Sequence, residues 1–300
     1  MILEGETAYY SKYMILTNYS NIKKLYNYTT MQEIYIEDFT LGEAPYNPVE
    51  DREGKIYYII IGGTLHRNDE QLLQIDTSNL IKNPLYYDSK TDSLWLASFE
   101  SNPAGNFVNF SVFEKPSAAT SNPNPYKISY DDIDSSITSC QAFAVKEDNI
   151  YIAYNNSNIL LTKKNDSSNT KASISLSNIT PALSGEVTDM AVLEDGTVAV
   201  LVNDKNLNPA NQFTLTDGCT VYSRGALVLL SSDLSTYKVY GWTDSPRTIS
   251  ATGSSSDYDV QWDKITAYIP EYAGRNSHFY GPMRIVAIRP KELVIADCGA

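Results

Sequence analysis

Apolar positions along this chain alternate with polar or small ones far more often than they recur every three or four residues. Period two therefore dominates, and no window of a dozen residues holds a clean helical face. One phrase carries the alternation again and again, a tight polar turn followed by a short apolar strand. It reads Gly54-Lys55-Ile56-Tyr57-Tyr58-Ile59, Asp92-Ser93-Leu94-Trp95-Leu96-Ala97 and Asp148-Asn149-Ile150-Tyr151-Ile152-Ala153. It returns as Asp195-Gly196-Thr197-Val198-Ala199-Val200 and as Lys291-Glu292-Leu293-Val294-Ile295-Ala296-Asp297.

The copies have neighbours of the same kind. Around the third, Cys140–Val145 precedes and Asn158–Thr162 and Ala172–Leu176 follow. Around the fourth stand Val187–Leu193, Thr197–Val202, Gly225–Leu230 and Tyr237–Trp242. Four short strands joined by turns, repeated every few tens of residues, are the content of propeller blades. The first apolar residue of each copy is Ile56, Leu94, Ile150, Val198 and Leu293, at intervals of 38, 56, 48 and 95 residues. The long last interval holds either an insertion, expected at 244–279, or a degenerate extra blade.

The ends complete the expectation. The chain stops after the second strand of a repeat and opens with two strands, Lys12–Leu16 and Ile22–Tyr26. Pairing these halves would close the ring and remove two exposed sheet edges. The fold expected is all-β: a β-propeller of four-stranded antiparallel blades, five or six in number, closed by the N-terminal strands. Residues 1–300 then form a single domain. A chain truncated at position 300, with further blades missing, is the competing reading.

Composition narrows the partners. The 300 residues carry Lys+Arg 23 against Asp+Glu 36, a net charge of -13, which opposes binding to nucleic acid or to an anionic membrane surface. No apolar run approaches the length of a membrane span. The 23 tyrosines suit half-buried sheet surfaces, where a ring packs and its hydroxyl reaches a polar partner. Cys140, Cys219 and Cys298 are odd in number, so no disulfide framework holds the fold. The start lacks the cationic end and apolar core of a signal peptide, which fits a cytoplasmic protein. Richness in Tyr, Asn, Ser and Thr with low Lys instead favours the mature form of an exported one, periplasmic or at the cell surface. A monomer is expected.

Motifs of familiar chemistry do not occur. His66 and His278 are the two histidines, with no zinc-ligand spacing around them, and there is no nucleophile elbow, Walker loop or dinucleotide fingerprint. No cofactor or metal is implied. The carboxylates of Asp131–Asp134 and Asp257–Asp259 lack the spacing of a calcium loop and read as solvated turns. Aligning the inner strands is more informative. Nine residues before three of the anchors stand Gln141, Asp189 and Arg284, an amide, an acid and a guanidinium. Such positions converge on the mouth of a propeller channel, where they would hold a polar ligand. Equally, Asp189 and Arg284 would pair with each other and stiffen the channel. The second candidate surface is the insertion, crowded with Tyr258, Trp262, Tyr268 and Tyr272. These aromatics serve either as binding anchors or as a satellite core.

The segment Met283–Asp297, an inner strand and turn leading to a strand that ends in a small residue and Asp, resembles the repeat of NHL-like and YVTN-like bacterial propellers. Glu186–Asn203, with its Glu194-Asp195-Gly196 turn, is similar. The whole chain resembles exported or lipoprotein-type propellers. The reading that follows is a non-enzymatic scaffold that binds a protein or glycan through its rim loops and insertion. The alternative is a hydrolase or lyase of the propeller lactonase type, with a metal or acid at the channel mouth.

Overall fold

The computed structural model describes residues 45–60, 63–67, 70–102, 105–114, 116, 126–131, 137–164, 172–183, 185–203 and 225–241. It also describes the strands at 13–17, 23–27, 32–35, 213–214, 220–221, 282–289 and 292–297. Near the N-terminus β1 (Tyr13–Thr17), β2 (Lys23–Asn27) and β3 (Gln32–Tyr35) form a three-stranded antiparallel sheet. Four four-stranded antiparallel sheets follow in chain order. The first holds β4 (Pro45–Glu50), β5 (Ile56–Ile60), β6 (Thr64–Arg67) and β7 (Glu70–Gln74). The second holds β8 (Leu80–Asp88), β9 (Ser93–Asn102), β10 (Gly105–Glu114) and β11 (Tyr126–Asp131). The third holds β12 (Cys140–Lys146), β13 (Asn149–Tyr154), β14 (Asn158–Lys163) and β15 (Ala172–Ser175).

In the fourth sheet β16 (Glu186–Val192) and β17 (Val198–Asn203) precede a separate two-stranded hairpin, β18 (Phe213–Thr214) and β19 (Thr220–Val221). The sheet then resumes with β20 (Gly225–Leu230) and β21 (Tyr237–Tyr240). A last pair, β22 (Pro282–Arg289) and β23 (Glu292–Asp297), ends the described chain. Every copy of the repeated phrase is thus the turn between the first and second strands of a sheet, followed by that second strand. The hairpin β18–β19 went unannounced in the sequence because ladders of two residues are too short for alternation to register.

The first strands of successive sheets, β4, β8, β12, β16 and β22, lie beside one another in that order. Successive sheets therefore face each other around a common axis, as propeller blades do, and each interval is filled by an apolar layer. Tyr57, Ile59 and Leu65 meet Leu94, Leu96 and Phe113 between the first and second sheets. Trp95, Val108 and Phe110 meet Phe143, Ile150 and Ile152 between the second and third. Tyr151 and Ala153 meet Val187, Val198 and Val200 between the third and fourth. Ala199 and Leu201 meet Ile285 beyond that. Period two sends Ile150 and Ile152 to one layer and Tyr151 and Ala153 to the next. A strand buried on both faces must be apolar throughout, and this explains runs such as Val198–Val202.

Each inner strand also breaks register with its neighbour near its start. The shifts fall between Tyr46 and Val49, Leu80 and Leu85, Cys140 and Ala142, Val187 and Asp189, and Pro282 and Arg284. A bulge sharpens local twist and re-aims the side chains beside it.

The expected strands at both ends are present, with β3 as an additional one. The ladders described keep β1–β3 and β22–β23 as separate sheets, without a pairing between them. The expected insertion at 244–279 lies outside the described residues.

Phe143 is 2% exposed and packs against Phe110 at 5.2 Å and Tyr86 at 5.9 Å between centroids. Phe143→Ala should destabilise the protein by about 3–5 kcal/mol in urea unfolding, the usual cost of emptying a core aromatic site. A loss under about 1 kcal/mol would show that this interval between sheets is not a packed core.

Candidate functional site

The starts of three inner strands meet at the axis through polar side chains. Asp189 on β16 is almost wholly buried, and its Oδ1 accepts from the Met190 amide at 3.0 Å and from Asn83 Nδ2 at 3.4 Å. Its Oδ2 accepts from the Ile285 amide at 2.9 Å and faces Arg284 Nε at 3.5 Å. Arg284 Nη1 in turn donates to Asn83 Oδ1 at 2.6 Å, and Asn83 Nδ2 donates to the Thr188 carbonyl. Lys82 and Glu186 pair at 3.4 Å on the same two strands, β8 and β16. Inner strands leave amides unpaired toward the axis, and a buried amide without a partner is costly. The Asp189 carboxylate satisfies two of them, Met190 and Ile285. Burial raises its pKa, while Arg284 and the two amides pull the other way without cancelling the rise.

Asp189 and Arg284 are brought together as the alignment of anchors implies, because they hold equivalent places. Asp189 lies opposite Leu201 and Arg284 opposite Ala296, each three residues past its anchor. In the third sheet the residue opposite Ala153 is Ala142, and Gln141 is the extra residue of the bulge. The turn there is one residue shorter, so counting back nine overshoots by one. Gln141 accepts from the Asn156 amide at 3.2 Å and donates to Ser139 Oγ at 2.9 Å. It secures the turn between β13 and β14, where Asn155 and Asn156 adopt left-handed φ of 45° and 70°. Among the described residues no hydrogen bond joins Gln141 to the axial cluster. Asn83 was missed for the converse reason. The count from Leu94 lands on apolar Leu85, at the end of an irregular stretch that hides Asn83.

The opposite ends of the sheets carry a second polar system, unforeseen in the sequence. Arg52, in the turn after β4, pairs with Asp92, in the turn after β8, at 2.7 Å. Asp88 accepts from the Glu147 amide, in the turn after β12, at 3.1 Å. Lys146 donates to the carbonyls of Leu193, at 2.8 Å, and Glu194, in the turn after β16. Burial lowers the Lys146 pKa against the pull of Glu147, Glu194, Asp195 and Asp88. The repeated turn is thus also a link, joining four sheets in sequence on one face. Within the turns, Asp51 accepts from the Glu53 and Lys55 amides at 2.8 and 2.9 Å and from the Tyr57 hydroxyl at 3.1 Å. Asp88 accepts from Thr91 Oγ1 at 2.6 Å, and Ser93 Oγ accepts from the Trp95 indole at 2.8 Å.

Other candidates resolve more simply. His66 stacks on Tyr58 with centroids 5.3 Å apart, and His278 lies outside the described residues. Cys140 is buried and its thiol is pushed up to about 12, so it is no ready nucleophile. Among the described residues no three His, Cys, Asp or Glu side chains gather as metal ligands would. Tyr258, Trp262, Tyr268 and Tyr272 lie outside the described residues, as do Cys219 and Cys298.

No protein-family model matches the chain, and no curated protein matches it. Among solved structures it is similar to the β-propeller domain of Cps50 (Swd1) from Myceliophteria thermophila, at 11% identity and a TM-score of 0.45. That match covers 63% of this chain and 62% of the other. A chain of the mitotic checkpoint complex is similar at 10% identity and a TM-score of 0.44, over 79% of this chain and 63% of that one. The extracellular domain of the putative hybrid two-component system BT4673 from B. thetaiotaomicron follows at 14% identity and a TM-score of 0.41, over 76% and 28%. The chain thus spans less than two thirds of the length of each.

Because the pKa of Asp189 is raised by folding, its ionised form is the costly one. Its contribution to stability appears as pH falls through the folded pKa and is lost as pH rises through it. In urea unfolding between about pH 8 and about pH 4, the wild type should gain stability relative to Asp189→Asn as the solution is acidified. A gap that shrinks on acidification would mean that Arg284 and the amides outweigh burial.

Proposed function

We propose that the chain is a non-enzymatic propeller scaffold that binds a protein or glycan partner on one face, through its rim loops and the insertion at 244–279. The observation that carries this reading is topological. The turns after the first strands share one face and are tied sheet to sheet by Arg52–Asp92, Asp88–Glu147 and Lys146–Leu193. Chain excursions leave from the other face. Residues 204–224 depart from the end of β17, and 242–281 run from after β21 to the start of β22. Both excursions therefore begin or end beside the inner-strand starts that carry Asp189 and Arg284. Loops displayed on a rigid scaffold are the usual carriers of binding.

The axial chemistry supports binding over hydrolysis. A general base needs a lone pair aimed at water, whereas the Asp189 oxygens face four donors on three strands. Anchoring falls to aromatics. Tyr240 on the outer strand is 47% exposed, and the chain beyond it leads to Tyr258, Trp262, Tyr268 and Tyr272. Of the rim residues Gln141, Asp189 and Arg284, the part-exposed Arg284 is the one that orients a polar group of the partner, while Asp189 backs it and Gln141 holds the β13–β14 turn.

The same reading closes the ring with the N-terminal strands against β22–β23, in a monomer of five blades, or six where the insertion holds one. It also keeps the likeness to NHL-like exported propellers. A cysteine scan between 13–27 and 292–297 should give intrachain cross-links, and none at any pairing would reject that closure. Fractionation of the native host should find the protein outside the cytoplasm; recovery in the cytosol would reject export.

The central test uses the full chain and its Tyr258→Ala/Trp262→Ala/Tyr268→Ala/Tyr272→Ala variant on glycan and peptide arrays. Wild-type binding should fall at least about tenfold in the variant, with the melting temperature held within about 2 °C, as loss of aromatic anchors predicts. Equal binding by both, or no binding by the wild type, would overturn the proposal.

A further inference from the structure

The axial cluster joins elements whose covalent connection is long. β22 follows β21 after 242–281, so the docking of β22–β23 beside the fourth sheet is set by contacts rather than by a tight turn. Those contacts are of two kinds. Ile285 packs on Ala191, Ala199 and Leu201 with Leu293 and Ile295 against the same layer, an apolar seam with no directional preference. Directional contacts come from Asp189, which holds the Ile285 amide and the Arg284 guanidinium, and from Asn83, which holds Arg284 from β8.

From this geometry we infer that Asn83, Asp189 and Arg284 form a latch that fixes the C-terminal hairpin in register at the axis. Sliding β22 by one residue would exchange the faces of Ile285 and Val286, which are 4% and 39% exposed, and withdraw the Ile285 amide from Asp189. A latch of charged and amide groups costs desolvation when closed, and Asp189 loses two of its four donors, the Ile285 amide and the Arg284 guanidinium, when β22 departs. The hairpin is therefore held in one place or released, with little between.

Hydrogen exchange on the unliganded full chain tests the latch without any partner, so its failure leaves the binding reading standing. Asp189→Asn keeps the shape but turns a donor toward the Ile285 amide. Exchange of peptides covering 282–297 should accelerate at least about tenfold in this variant, while peptides covering 140–163 keep their wild-type rates. Arg284→Lys keeps the charge and removes the fork to Asn83, so it should give the same selectivity at smaller size, and it decides the matter where Asp189→Asn does not fold. Unchanged exchange at 282–297 in Arg284→Lys, or an equal rise at 140–163, would overturn the latch.

Discussion

The structure depends on one constraint: none of the four four-stranded sheets can bury its apolar faces alone. β13 and β17 are apolar on both sides, so each sheet needs a neighbour in front and another behind. Sheets that each need two neighbours arrange around an axis, with their first strands side by side. The two polar systems that join the sheets follow from that convergence. Inner strands crowd where room is least, and turns meet their counterparts on the next sheet.

Two polar systems answer the crowding in different ways. At the inner-strand starts a buried acid and an amide satisfy backbone groups of β16 and β22, and a guanidinium ties the two side chains together. At the turn face the links are a part-exposed ion pair and hydrogen bonds to main-chain groups. Water competes for the second system and is largely kept from the first. The turn links contribute orientation more than energy, whereas the axial group carries a large cost if broken.

Much of the fold was legible because period two writes itself into any strand with two buried faces. The third and fourth sheets could be bounded almost to the residue from Cys140 to Tyr240. What escaped notice was whatever a count along the chain cannot register. The anchors Val198 and Leu293 face partners six residues back, so a count of nine reaches Asp189 and Arg284; Leu94 faces Tyr87, seven back, and the irregular stretch from Leu80 to Leu85 keeps Asn83 beyond that count. A turn shorter by one residue put Gln141 beside the right place and left Ala142 in it. The turn links were invisible because Arg52 and Asp92, or Lys146 and Leu193, stand one repeat apart, and nothing local marks them as partners.

The unequal turns have a consequence for how such a chain can be rearranged. The apolar anchors Ile150 and Val198 face strand partners five and six residues back, Val145 and Val192. Two hairpins that look interchangeable in sequence are therefore out of phase by one position. Grafting one into the other's sheet at the aligned letters would reverse which side chains meet each neighbouring layer. Modular shuffling of these blades must cut in the long connections on the opposite face, where a residue gained or lost shifts no register.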